Sequence, residues 1–227
     1  EVKTILSKKV VAAAGPYNTK LVKEIAPYFS ELITPKRLFL SFLKIKSSKY
    51  SLLTDEQKKK IKDFYPVANL NSEIFYSMIE KLDEEDKPLL KVGGHFLRTD
   101  IDNLDKVWAK ELTVPEIQWS KENTANYLTL LNLPIKISDL EFVRGYSCVY
   151  SLTSSEIPYV TNILDNGANV DSSFVLIGGM SGVGAKGSLT YGLIAADLLL
   201  NKTDNSAIYQ KTKAALGVER LKKDLNE

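Results

Sequence analysis

The chain has 227 residues, 44% of them hydrophobic and 26% charged, with 12 Gly and 8 Pro, a composition that excludes collagen-like, mucin-like and broadly disordered proteins. That length accommodates one large domain or two small ones. A formal charge of +2 from 30 basic and 28 acidic residues provides no global field for nucleic acid or an anionic membrane, so partners must be argued locally.

The first nine residues, EVKTILSKK, have neither an initiator Met nor an apolar signal core, which reads as a processed or truncated chain. Residues 9–14, KVVAAA, form a β-rich apolar run stopped by Gly15-Pro16, and Asn18 is expected to cap an amphipathic helix over 19–29. Pro27 and Pro35 bracket the connection to a strand over 37–45, RLFLSFLKI, with a boundary near residue 33. The lysine-rich stretch 44–63, including Lys58-Lys59-Lys60, resembles a helical surface segment, either a solvated face or a patch for an acidic partner. Two short strands are expected over 72–79 and 88–96, separated by an acidic loop at 83–86, with Gly93-Gly94 supplying backbone freedom before His95.

A helix over 121–131 is stopped by Pro134, and 140–152, LEFVRGYSCVYSL, alternates as a strand does. Residues 157–160 continue toward a turn at Asn166-Gly167. A buried strand follows over 173–177, then the glycine-rich turn GGMSGVGAKG and a helix over 188–200. The tail, 201–227, is polar and helical at the surface. The apolar runs 174–180 and 193–200 are too short to span a bilayer. One cysteine, Cys148, forbids an intramolecular disulfide and suits the cytoplasm, although an unpaired thiol can also be an attachment point. The single histidine excludes a multi-histidine metal site within the chain, and no metal is expected.

Residues 182–187, GVGAKG, satisfy G-x-G-x-x-G between a strand and a helix. A dinucleotide fold also needs a following parallel strand that ends in an acidic residue, and the sequence after Leu200 is too polar to supply one. The pyrophosphate reading is therefore rejected. What remains is a turn that admits a ligand close to the backbone, beside a helix N-terminus and the charge of Lys186, or else a tight turn selected for packing.

Three pieces, in order, resemble the FAD-dependent amine and amino-acid oxidases of the D-amino-acid oxidase superfamily, and most closely the monomeric sarcosine oxidase group. They are VVAAAGPYNTKL at 10–21, LLKVGGHF at 89–96, and RGYSCVYSLTSSEIPYV at 144–160 leading into VLIGGMSGVGAKGSLTYGLIAADLLL at 175–200. The resemblance implies an α/β protein. Residues 34–164 would be an α+β substrate domain with a mixed sheet, and 1–33 with 165–227 the returning strands and last helix of an FAD-binding domain whose N-terminal dinucleotide fold lies upstream. A companion N-terminal half or chain is then expected, and residues 10–14 and 175–178 should seek neighbouring strands.

The resemblance also assigns roles. Lys91 matches the lysine that promotes reaction of reduced flavin with oxygen, a fixed cation stabilising developing negative charge. His95 matches the active-site histidine near the substrate. Cys148, within R-G-x-x-C-x-Y, matches the cysteine that forms a thioether to FAD, with Arg144 as the expected neighbouring cation. Tyr150 and Tyr76 match walls of the substrate cavity, and either tyrosine could equally be sheet packing. Lys186 matches the lysine that pairs with a substrate carboxylate. Ala14, Gly15, Met180, Ser181, Gly182, Val183 and Gly184 would face the cofactor. Val183 stands where the sarcosine oxidase group often has histidine, so sarcosine is not a secure substrate. The implied reaction converts a secondary amine or amino acid to an imine, with oxygen yielding hydrogen peroxide. A different acceptor would make the protein a dehydrogenase, and a noncatalytic subunit is the rival from another class.

Overall fold

The computed structural model describes residues 3–64, 66–69, 73–82, 87–101, 103–165, 169–201 and 206–226. In chain order the elements are β1 (Val10–Ala12), α1 (Asn18–Leu21), α2 (Phe29–Leu32), β2 (Thr34–Ile45), α3 (Ser47–Tyr50), α4 (Asp55–Lys62), β3 (Val67–Asn69), β4 (Phe75–Leu82) and β5 (Pro88–Gly93). Then come β6 (Thr99–Asp100), α5 (Val114–Leu130), β7 (Leu140–Leu152), β8 (Tyr159–Asp165), β9 (Asn169–Gly178), α6 (Gly184–Leu200), α7 (Ala207–Leu216) and α8 (Val218–Asp224). The expected acidic loop at 83–86 and the Asn166-Gly167 turn lie outside the described residues. No described helix is long and apolar enough to cross a membrane.

The chain divides into two compact units. Unit 1 comprises Glu1–Lys36 and Val149–Glu227, and unit 2 comprises Arg37–Cys148. Both divisions fall inside a strand, one in β2 and one in β7.

Unit 1 is built on a three-stranded sheet in the order β1-β9-β8, with β1 parallel and β8 antiparallel to β9. Successive residues of β9 point to opposite faces, and both faces are covered. Leu176 joins Ala12, Val22, Phe29, Ile33, Tyr159 and Leu221 on one side. Val175 joins Val160, Ile194, Leu199 and Leu216 on the other. Buried parallel strands are expected to read as continuous apolar runs, as 174–177 does. The tail is tied down twice: Arg220 pairs with Asp224 at 3.1 Å, lies over the Tyr159 ring and donates to the carbonyls of Ile157 and Pro158. In addition, Tyr209 donates to Asp197.

Unit 2 holds a sheet ordered β3-β4-β5-β2-β6, with β7 also paired to β2. Phe39, Leu43, Leu90 and Val92 face the core, where Trp119, Ala125 and Leu128 of α5 pack against them. Trp119 sits at the centre, edge-on to Phe39 and Phe75 and stacked on Phe96 at 5.4 Å. Its indole N–H donates to Glu73 at 2.6 Å.

Several expectations need correction. The helix expected over 19–29 is instead two single turns, α1 and α2. Pro27 lacks an N–H and disfavours helix at Ala26, and Asn18 does not cap: its side chain is buried and bonded elsewhere. The helix expected from 121 begins at Val114, where Thr113 and Glu116 form a capping box and Pro115 fits the first turn. The strand expected over 72–79 runs over Phe75–Leu82, and that over 88–96 stops at Gly93. Finally, 175–178 seek no further strand, because β9 is central and paired on both sides, Val175 with Val11 and Asn162.

Candidate functional site

Within unit 1, β1 and β9 run parallel, so the turns that follow them emerge at the same end of the sheet. Carboxyl ends of parallel strands are where open α/β sheets bind ligands. The first turn carries Ala14 and Gly15, and the second carries 179–184. Asn18, buried, ties the first turn to the end of β9: its Oδ1 accepts from the Ala14 N–H at 2.8 Å, and its Nδ2 donates to the Ile177 carbonyl at 2.7 Å. The sequence offered Asn18 as a helix cap. Its fourth-residue spacing from Ala14 is the local signal; the partner in β9 could not be read from the chain.

The second turn is over-determined. Ser181, buried, takes φ of 44°, a left-handed conformation that costs a non-glycine residue about 1–2 kcal/mol. It is held there because its N–H donates to the Ser151 carbonyl at 2.9 Å and its hydroxyl donates to the Gly179 carbonyl at 3.1 Å. Gly182 follows at φ 83°, and a Cβ there would fall 2.7 Å from the Tyr150 ring, so Tyr150 lies directly against the turn. Met180 closes it, with its carbonyl accepting from the Val183 N–H at 2.7 Å. Helix α6 then starts at Gly184, and the N–H groups of Gly184 and Ala185 precede the first intrahelical bond. Lys186 is exposed in that first turn. Unit 1 therefore brings together Ala14, Gly15, Tyr150, Met180, Ser181, Gly182, Val183, Gly184 and Lys186.

Unit 2 carries the other predicted residues. In β5, Leu90 and Val92 face the core, so Lys91 projects from the opposite face, opposite Phe42 of β2 and Met78 of β4. Tyr76 shares that face and covers Gly93, where a Cβ would lie 2.5 Å from its ring. Lys91 pairs with Glu80 at 3.4 Å, a partner the sequence does not announce, because Glu80 is the extra residue of a bulge in β4, between Ile79 opposite Leu90 and Lys81 opposite Leu89. His95 is fixed just beyond β5, its backbone N–H bonded to the Glu73 carbonyl. Gly93 and Gly94 do not supply unusual backbone freedom, since neither has positive φ. They make room: a Cβ on Gly94 would lie 2.3 Å from Trp119 and 2.6 Å from the Ile74 carbonyl oxygen.

Cys148 ends unit 2. Burial pushes its thiol up to about 11, and the Arg37 charge opposes that only in part. Arg144, the expected helper, is instead seated over the Phe42 ring at 3.7 Å, beside Tyr146. Arg37 itself is buried and makes a bidentate pair with buried Glu116 at 2.5 and 3.2 Å, while its Nε donates to the Ser147 hydroxyl at 2.8 Å. Burial alone would raise the Glu116 carboxyl. Arg37 and the Thr113 N–H together hold it below its ordinary value. This network adjoins Cys148 in sequence, and nothing in the local pattern announced it.

Among the hollows of unit 2, one of about 390 Å³ is lined by Lys59, Lys60, Phe64, Tyr127 and Leu131, and one of about 430 Å³ by Arg37, Thr99, Lys110 and Glu116. Neither contains a predicted site residue.

No protein-family profile matches the sequence, and no curated protein does. Solved structures do match in fold. Iminodiacetate oxidase (IdaA) from Chelativorans sp. BNC1 is similar at a TM-score of 0.59 and 12% identity, over 90% of this chain and 45% of its own. The deglycating fructosamine oxidase of Aspergillus fumigatus, Amadoriase II, is similar at 0.55 and 16%, over 93% and 44%. Amadoriase I of the same organism, a fructosyl amine:oxygen oxidoreductase, is similar at 0.53 and 14%, over 91% and 44%. The chain thus has the mixed α/β fold found in part of these oxidases, and it spans under half of their length.

Proposed function

We propose that this chain is the substrate-domain half of an FAD-dependent oxidase that converts a secondary amine or amino acid to an imine, with oxygen accepting the electrons and hydrogen peroxide as product. The observation that carries the reading is the pair of turns at the carboxyl ends of β1 and β9, the first held to the end of β9 by Asn18, in the chain order that the amine-oxidase resemblance requires. Fold similarity to three amine-type oxidases over nine-tenths of the chain supports it.

The residues present fit a flavin. A Cβ built on Gly15 meets nothing within 4 Å, so the first turn is open to close approach. The free N–H groups at the start of α6 and the positive end of its dipole suit an electron-rich ring edge. FAD, when bound, would supply the two-electron acceptor for the C–N oxidation. In this reading Lys186 pairs with a substrate carboxylate, Tyr150 and Tyr76 are substrate-cavity walls, and His95 orients the amine or carboxylate. Lys91 is the cation that assists the oxygen reaction, its field tempered by Glu80. Cys148 is the attachment position, and its raised thiol pKa means that attachment needs a further cation from outside this chain.

The test is the protein purified with whatever companion completes it. A flavin absorbance spectrum and peroxide release on N-alkyl amino acids are expected, with Lys186→Ala raising KM for carboxylate-bearing substrates while sparing those that lack the group. Flavin reduction by substrate without peroxide release would move the assignment to a dehydrogenase. Purified complex with no flavin absorbance would overturn the reading.

A further inference from the structure

On the face of the unit 2 sheet that carries Lys91, a cross-strand row reads Lys44, Leu89, Lys81. Leu89 of β5 is aligned with Lys44 of β2 on one side and, just past the bulge in β4, with Lys81 on the other. Aligned residues of neighbouring strands point to the same face, so the two lysines stand about 10 Å apart at their Cα atoms, two interstrand spacings, with an apolar side chain between them. Two further cations complete the arrangement. Lys87 precedes β5 and donates to the Ser47 hydroxyl at 3.0 Å, and Arg144 comes from β7, which pairs with β2. The four cations line a hollow of about 240 Å³ whose floor is Leu89 and Pro88, both buried, and no carboxylate is among its lining residues.

Two of these cations have no acidic partner among the described residues. The Arg144 guanidinium lies 3.7 Å from the centroid of the Phe42 ring and makes no hydrogen bond or ion pair there. Stacking fixes its plane and leaves the in-plane N–H fork to an incoming carboxylate. Lys81 is exposed and equally uncommitted. Lys44 meets Glu141 at 3.4 Å, but their side chains are 38% and 47% exposed, so solvent screens the pair and Lys44 has charge to share with a ligand.

We infer that this hollow binds a small aliphatic dicarboxylate. Arg144 and Lys44 take one carboxylate, Lys81 and Lys87 take the other, and the methylene spacer lies over Leu89 and Pro88. Cations at both ends of an apolar floor select that class, since a compact anion such as phosphate engages one end and leaves the floor and the other end unused. The volume agrees: it lies below the ~300–1,000 Å³ of sites for drug-sized ligands. Because Phe42 is aligned with Lys91 as Lys44 is with Leu89, the site lies one strand repeat, about 7 Å, from the Lys91 row. It needs no flavin and includes none of the residues assigned to the oxidase reaction, so it goes beyond that reading and does not depend on it.

The experiment is isothermal titration calorimetry of the full protein at low ionic strength with glutarate, butyrate and inorganic phosphate as probes. Glutarate is expected to bind saturably and about tenfold more tightly than either of the others, the gain from pairing its second carboxylate. Arg144→Lys keeps the charge but loses the fork, and Lys81→Gln removes an exposed cation that holds nothing else, so each should weaken glutarate about tenfold. Lys81→Gln should do so with an unchanged urea midpoint. Glu141→Gln frees Lys44 and should tighten glutarate about twofold. Lys59→Gln makes the same change of charge on α4, at a different hollow, and should leave the affinity unchanged. Butyrate or phosphate binding as tightly as glutarate, an equal loss in Lys59→Gln, or no saturable heat with glutarate would overturn the inference.

Discussion

In unit 1, Gly15 and Gly182 sit at φ 57° and 83° in turns that face outward from the ends of parallel strands, whereas in unit 2, Gly93, Gly94 and Gly145 have ordinary backbones and lie under other side chains. The first pair is there for conformation, and at Gly182 also for the space the Tyr150 ring takes; the second set is there for volume alone. The same contrast extends to charge: Lys186 of unit 1 is exposed, and the best-built ionic contact of unit 2, Arg37 with Glu116, is buried. The open turn at Gly15 is thus expected to tolerate change at a modest stability cost, and unit 2 to fail wherever a buried fit is disturbed.

The largest effect that would break this comparison is at Glu116. Glu116→Leu leaves the Arg37 guanidinium buried without its partner and removes the acceptor for the Thr113 N–H. A loss of about 3–5 kcal/mol is expected from urea unfolding. The double variant Arg37→Met/Glu116→Leu should recover much of that loss, since well-packed apolar residues often replace a buried pair without penalty. The pair also sets an acid limit. The folded-state pKa of Glu116 lies below its ordinary value, so its contribution is complete above the ordinary carboxylate pKa and is lost as pH falls through the folded value. Glu116→Leu should flatten that acid limb. Equal stability of the single and double variants would mean that the pair is not what holds α5 to unit 2.

Glycine supplies the next, smaller contrast. Gly94→Ala forces a Cβ to within 2.6 Å of the Ile74 carbonyl oxygen, which is backbone and cannot swing away, and about 1–3 kcal/mol of overpacking is expected. Gly15→Ala meets nothing within 4 Å and costs only the left-handed conformation, about 1 kcal/mol. In the assembled protein the order should invert for function, with Gly15→Ala lowering FAD affinity more than Gly94→Ala. Urea midpoints and flavin titration read both.

What was legible in the sequence follows the same division. The strand, turn and helix over 173–200 could be read because each carries local chemistry: a β-branched apolar run, clustered glycines, and helical spacing. The parallel partner β1 was legible as an apolar run, but its pairing with β9 across more than 160 intervening residues was not. In unit 2 the start of α5 at Val114 lies before the expected 121, and the local signal for it is the capping box of Thr113 and Glu116 with Pro115 in the first turn. Asn18, Glu80 and the Arg37 network escaped because each gains its meaning from a residue far along the chain or across a sheet. Local polar residues have many possible partners, and only the fold selects one.

Cys148 sharpens the comparison from the boundary of unit 2. With the thiol at about 11 rather than 9.0, roughly one molecule in a hundred is thiolate at pH 9, against about half in the unfolded chain. Alkylation by iodoacetamide at that pH should be at least about tenfold slower in the folded chain than in urea. Because the folded pKa is raised, the protonated thiol stabilises the fold below pH 9, and that contribution is lost as pH rises through about 11. Arg37→Met should slow alkylation further, since Arg37 is the cation that lowers the thiol pKa. Arg144→Met should leave it unchanged, as Arg144 is engaged with Phe42. Rapid alkylation in the folded chain would show a reactive thiol and restore Cys148 as an attachment point that needs no outside cation.

The smallest stability effect is expected at Glu80. Its pair with Lys91 is 3.4 Å long and partly exposed on both sides, so solvent screening limits it to under about 1 kcal/mol, and Glu80→Gln should barely move the urea midpoint. Its consequence for function is the sharper test. If Lys91 acts as a fixed cation during the oxygen reaction, Glu80 opposes it, and neutralising the carboxylate exposes the full lysine charge. Glu80→Gln should then speed cofactor reoxidation by oxygen in stopped-flow measurements, while Lys91→Met slows it and leaves anaerobic reduction by substrate largely intact. A strong loss of stability in Glu80→Gln would place the pair among the buried contacts of unit 2, and equal reoxidation rates in all three proteins would remove Lys91 from the oxygen step.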